Sequence, residues 1–212
     1  MARLGLVLVL VGSTVSLAQN SRTAAPKPLT TIEDGVLDAI QLFVDKWPGS
    51  PATPVVMRKF SGLDADLGTG GEAGKDTRQS EAKTIKAEGP RILAEHFAAK
   101  MKELGALTAT IAEPGTPVSG ALVVDGKFTK IDPGSRTKRY FVGFGAGKST
   151  VSVSGTVTNE AGLVIATFAQ TRYGAMGFGG GDSLGKLLAD SKDIGADIAQ
   201  FLSDWAKGKS LK

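Results

Sequence analysis

From Thr30 onward the apolar residues switch between helical and strand-like spacing. Val36, Ile40, Phe43, Val44 and Trp47 recur at intervals of three and four, the signature of one helical face. Thr30 and Glu33 stand at capping-box spacing, so an N-terminal amphipathic helix is expected over 31–47, stopped by Pro48-Gly49-Ser50-Pro51. Such a helix either docks on its own domain or offers its face to a partner. "VVMRKFSG", 55–62, then reads as a strand with Val55, Met57 and Lys59 on one side and Val56, Arg58 and Phe60 on the other.

The polar, glycine-rich stretch that follows reads as a long surface loop. Pro90 suits the first position of a helix whose stripe is Ile92, Leu93, Phe97, Met101 and Leu104, ended by Gly105. Strands are expected at 107–112, 121–131, 149–158 and 163–173, the last two joined by the Asn159-Gly162 hairpin. Asp125-Gly126 is either a hairpin turn that splits 121–131 or a bulge within one strand. Leu184, Leu187, Leu188, Ile194, Ile198, Phe201, Leu202 and Trp205 form a closing helix, capped by Asp182 or Ser183. This order predicts an α+β fold: a mostly antiparallel sheet of four to five strands, two main helices packed on it, and the N-terminal helix. The single domain spans 55–206 and a basic tail spans 207–212.

The first residues change the picture of where this domain works. "MARLGLVLVLVGSTVSLA", 1–18, reads as a signal peptide: Arg3, an apolar run from Leu4 to Val11, then small residues at Ser16 and Ala18. The run is short for a membrane anchor. Residues 19–30 follow as a polar, Pro-containing leader. An exported protein, periplasmic or secreted after cleavage near Ala18-Gln19, is the expectation. The chain has no cysteine, which removes disulfides, thiol catalysis and a lipid-accepting thiol, so no stable membrane anchor is expected. A net charge of +4 is far from that of a dedicated nucleic-acid binder, and no nucleic-acid partner is expected.

The chemistry is sparse. "VGFGAGKST", 142–150, ends like a phosphate-binding P-loop, but the first glycine of that motif falls on Val142. The residues after it alternate like a strand, whereas a P-loop needs a helix there. Gly143, Gly145 and Gly147 read instead as a structural turn, and nucleotide binding stays the alternative function. Asp64, Asp66 and Glu72 do not follow a calcium-loop pattern. His96 is the one histidine, which leaves no histidine-rich metal site, and Ser149 and Ser183 lack a nucleophile-elbow context. Neither an enzyme nor a cofactor is expected. The concentrated basic feature is Lys127, Lys130, Arg136, Lys138, Arg139 and Lys148 with Tyr140, Phe141 and Phe144 interleaved. It is either a solvated face or a surface for an anionic partner.

Within "GALVVDGKFTKIDPGSRTKRYFVGFGAGKSTVSVSGTV" the pattern of Asp125-Gly126, Asp132 to Gly134, Arg136, Arg139, Gly143-Phe144-Gly145-Ala146-Gly147 and Ser149 resembles the bacterial domain-of-unknown-function 4410 family of exported and envelope proteins. The likeness runs from about Val55 to Leu202. It implies an extracytoplasmic α+β domain without an established activity or cofactor. It also favours one strand across Asp125-Gly126, with Gly126 as a bulge or kink. Together these readings predict a non-enzymatic binding or assembly module of the cell envelope. Its partner is an envelope protein, a polymer or a second copy of itself, and its candidate surface is Arg136, Lys138, Arg139 and Lys148.

Overall fold

The structure, a computed structural model, describes residues 26–50, 53–68, 75–134, 148–174 and 183–212. Its order is β1 (Thr30–Glu33), β2 (Ala39–Leu42), β3 (Val55–Arg58), α1 (Lys75–Leu104), β4 (Ala109–Ala112), β5 (Leu122–Asp132), β6 (Thr150–Thr158), β7 (Val164–Tyr173) and α2 (Ser183–Ala206). From β3 onward the order matches the expected one. The strands form one seven-stranded sheet, β1-β2-β7-β6-β5-β3-β4. It is mixed: β3 pairs parallel with both β4 and β5, and the other pairs are antiparallel. The expected sheet of four to five mostly antiparallel strands is thus too small and lacks the parallel pairs.

The N-terminal helix is not there. Residues 30–42 form a hairpin instead, with Ile32 opposite Ile40 and Thr30 opposite Leu42. Asp34, at φ 54°, and Gly35 begin the turn, a left-handed conformation that Asp tolerates better than most residues. Ile32, Ile40 and Leu42 share one buried face at strand spacing, and β2 docks on β7, so tertiary pairing overrides the helical spacing of Val36, Ile40 and Phe43.

Both helices cover one face of the sheet, α1 over β3, β4 and β5 and α2 over β6 and β7, and they pack against each other. α1 begins fifteen residues ahead of the expected start, because Ala82 and Ile85 extend the buried stripe of Leu93, Phe97 and Met101 backwards. Pro90 lies inside the helix and cannot donate to the carbonyl of Lys86. That carbonyl faces Gly62, where a Cβ would stand 3.3 Å from it. β3 ends at Arg58, and the parity of the chain breaks there: Phe60 joins the core with Val55 and Met57.

β5 is one strand across Asp125-Gly126. Its register shift lies between Phe128 and Lys130, not at Gly126, which pairs regularly with Gly155 of β6. This glycine pair makes room for aromatic rings. A Cβ at Gly126 would stand 2.6 Å from the Phe60 ring, and one at Gly155 would overlap the ring of Phe168. From there an aromatic chain runs Phe60–Phe168–Phe201–Trp205–Trp47 with centroid spacings of 5.1–6.3 Å. It ties β7, α2 and the segment after β2 into one core.

The tail after α2 is part of the body. Leu211 is buried, and its carbonyl accepts the N–H of Val36 at 3.2 Å in the turn of the β1–β2 hairpin. Residues 207–212 are therefore not a free basic extension over their whole length.

Candidate functional site

Strand direction brings one end of the sheet together as the place where a partner could be met. β5 ends there at Asp132, β6 starts at Thr150 and β7 ends at Tyr173, with Thr150 paired to both Asp132 and Tyr173. The segment after β3 reaches the same end alongside β5. There the N–H of Asp66 donates to Thr129 O at 3.0 Å, and the Asp66 carbonyl accepts the N–H of Ile131 at 2.7 Å. The register shift beside Thr129 opens β5 to this second neighbour. Asp132 Oδ1 accepts the N–H of Gly134 at 2.8 Å and turns the chain out of the strand.

Of the sequence-predicted surface, Arg136, Lys138 and Arg139 lie outside the described residues, as do Gly143, Gly145 and Gly147. Lys148 is described and exposed. Lys127 and Lys130 fall on the uncovered face of the sheet, across from Ser154 and Ser152. They are not gathered into a purely basic patch. Asp125, bound to Arg58 at 3.0 Å, Asp64 and Glu33 line the same face, in a shallow groove of about 780 Å³. Its remaining lining is mainly small or hydroxylated, with Thr31, Ser61, Thr156 and Thr167.

The P-loop likeness has the wrong context in three dimensions. Lys148 and Ser149 lead directly into β6, not into a helix that could aim its N-terminal amides at a phosphate. Ser149 is 3 % exposed and its carbonyl accepts the N–H of Gly174 at 2.9 Å. Its hydroxyl rests against Gly174, which leaves no room for a side chain at 174.

Sequence reasoning missed the polar network beneath this end. Gln170 and Arg172 continue the inward phase of Ala166 and Phe168 along β7, so a polar pair enters the space between sheet and α2. Arg172 bonds Asp197 through Nε and Nη2, and Gln170 Nε2 donates to the same carboxylate at 3.0 Å. Gln170 Oε1 accepts the N–H of Asp38 at 2.8 Å, while Asp38 Oδ2 accepts the N–H of Thr171 at 2.6 Å. The turn of the N-terminal hairpin, β7 and α2 are thereby joined. The signal was available: two long polar side chains in the phase that otherwise feeds the core.

Burial pushes the Asp197 carboxyl above the usual carboxylate range, with Arg172 pulling against it. Burial also raises Asp190, seconded by Asp193, and Asp190 Oδ2 is buried without a hydrogen-bond partner. Burial works against the charge on Arg172, but Asp197, Asp193 and Asp190 outweigh it and hold the guanidinium protonated. Among the described residues, no group of three or more His, Asp or Glu is placed to hold a metal. His96 lies half-buried on α1.

The geometry defines a class: an α+β domain with one mixed sheet, helices on one face and a polar second face. The chain belongs to the DUF4410 family, described as a domain of unknown function, whose family model matches residues 55–177. The match begins at β3, as expected, and ends before α2, short of Leu202. The N-terminal hairpin lies outside it. No curated protein matches the chain. Among solved structures it is similar to a PelC dodecamer from Paraburkholderia phytofirmans, with 11 % identity, a TM-score of 0.41, and coverage of 74 % of this chain and 96 % of that one. A single-substitution variant of that dodecamer, from the same organism, is 13 % identical with a TM-score of 0.37, covering 75 % and 95 % of the two chains. An uncharacterized protein is 12 % identical with a TM-score of 0.38, covering 73 % and 94 %. Likenesses at this level carry no functional argument. Among the described residues no helix is long and apolar enough to cross a membrane.

Proposed function

We propose that this chain is an exported, non-enzymatic binding or assembly module of the bacterial envelope, acting through the end of its sheet where Asp132, Thr150 and Tyr173 meet. The observation that carries the reading is the convergence there of Asp132, with Gly134 bonded to its carboxylate, Lys148 and Gly174, over the anchored Ser149–Gly174 and Arg172–Asp197 contacts. The sequence between Asp132 and Lys148 supplies Arg136, Lys138 and Arg139. Basic residues that follow a braced sheet end in sequence suit an anionic wall polymer or an acidic protein surface. The "SLA" at Ser16 to Ala18 supports export.

Two measurements test the reading. The native protein should begin at Gln19 and be recovered outside the cytoplasm; a cytoplasmic species that keeps Met1 overturns export. Cross-linking in intact cells should capture an envelope component, and Arg136→Ala with Arg139→Ala should lose it while the fold persists. Capture unchanged by both substitutions overturns the assigned surface. Calorimetry with MgATP and MgGTP addresses the nucleotide alternative: heat of binding that disappears in Lys148→Ala would replace this reading.

A further inference from the structure

Among the described residues the sheet has two outer edges, β1 and β4, and they are guarded differently. β1 follows Pro28 and ends in Glu33-Asp34, the kind of flanks that discourage a further strand. β4 is Ala-Thr-Ile-Ala, followed by Glu113-Pro114 but, unlike β1 with its Glu33, free of charge within the strand, and Ile111 on it is 38 % exposed. Thr108 O accepts from Val55 N–H and Ala112 O from Lys59 N–H, at 2.8 and 2.9 Å. Alternation along this parallel ladder therefore turns the main-chain groups of Thr108, Thr110 and Ala112 inward. Those of Ala109 and Ile111 point out of the sheet. Beside them a groove runs between β4 and the end of α1, lined by Ala98, Ala99, Lys102 and Ala106, whose alanines offer little bulk against an approaching chain.

We propose that β4 is the surface on which two copies of this chain pair, edge to edge and antiparallel, about a twofold axis through Thr110. The register follows from the outward groups. With the axis at Thr110, Ala109 and Ile111 exchange N–H···O bonds with Ile111 and Ala109 of the second copy, so both outward residues are satisfied. Each Ile111 meets a small Ala109 on the helix-covered side, and Thr110 meets Thr110 on the other, a favourable cross-strand pair. An axis at Ile111 would instead set two isoleucines directly opposite each other. The interface is isologous, as most closed dimers are. It names a surface for pairing with a second copy, one of the partners the sequence led us to expect, and it is independent of the sheet end assigned under the proposed function.

The chain contains no cysteine, which permits a test of the register itself. In a non-hydrogen-bonded antiparallel pair the Cα atoms stand about 4.5 Å apart, within disulfide reach. Thr110→Cys should therefore give a covalent dimer of doubled mass under mild oxidation. Ala112→Cys, whose thiols this register separates by about 13 Å along the strand, should remain monomeric. Sedimentation of the wild type should show a reversible dimer, which Ile111→Lys dissociates without a change in circular dichroism. Equal cross-linking at 110 and 112, preferential cross-linking of Thr31→Cys on β1, or a wild type that stays monomeric at every concentration overturns the proposal. Protection of the Ala109 and Ile111 amides by an envelope extract in a monomeric protein would assign the edge to a foreign strand, and overturns it too. A monomer would leave the proposed function standing, because that reading depends on capture through Arg136 and Arg139.

Discussion

Gly155 and Phe168 lie directly opposite each other on β6 and β7, and the phenyl ring fills the space that any side chain at 155 would need. The room is closed from the other side as well: a Cβ at 155 would stand 2.8 Å from the carbonyl oxygen of Asp125. Gly155→Ala should destabilise the protein by about 1–3 kcal/mol, the usual range for overpacking. Phe168→Leu alone also destabilises, by loss of ring contacts. The double variant should be less unstable than the sum, a coupling that urea denaturation of the four proteins measures directly. Strict additivity would mean that the ring does not hold that space.

Gly195 makes a close approach between the helices. A Cβ there would overlap the carbonyl of Leu93 and stand 3.1 Å from Phe97 N. Alanine is the better helix former by about 1 kcal/mol, so propensity and packing oppose each other at this position. Packing should win, and Gly195→Ala should lower the melting temperature. A rise would show that α1 and α2 can separate at no cost.

Asp190 and Asp197 have their carboxyls raised by burial. The folded state then holds protons that the unfolded state releases, so stability increases as pH falls from neutral toward the ordinary carboxylate range. Below that range both states are protonated and the gain is complete. The urea midpoint should rise on mild acidification. Asp190→Asn, which removes a buried carboxylate oxygen without a partner, should flatten the profile.

Leu211 tests whether the tail holds the hairpin. Leu211→Ala should cost about 2 kcal/mol, the low end for a buried leucine. Hydrogen exchange should place the loss at the Val36 amide and along β1 and β2 before it reaches β6.

Much of this architecture was legible, and the parts that were not share a cause. β6 and β7 announced themselves through alternation, because both lie inside the sheet with one face buried. α2 did so through a continuous apolar stripe. The hairpin at 30–42 was misread because its apolar residues satisfy two periods, and the choice between them is made by β7, more than a hundred residues away. The first half of α1 was hidden by its polar composition: only Ala82 and Ile85 among residues 79–89 are buried hydrophobics. Around Ser149 and Tyr173 the sequence singled out Lys148, which is exposed, but not the Gln170–Asp197–Arg172 network, whose members become neighbours only when α2 lies on the sheet.

The pairing of β2 with β7, and of Val36 with Leu211, has a consequence for the order in which the molecule can be made. The hairpin leaves the ribosome early but has no neighbour to dock on until β7 and then Leu211 have been synthesised. Until then Ile32, Ile40 and Leu42 have no core to enter, and the sheet is open on that side. Contacts across so long a stretch of chain form late and slowly. The nascent protein is thus kept from closing this side of its sheet, by its own topology, until β7 and Leu211 have been made.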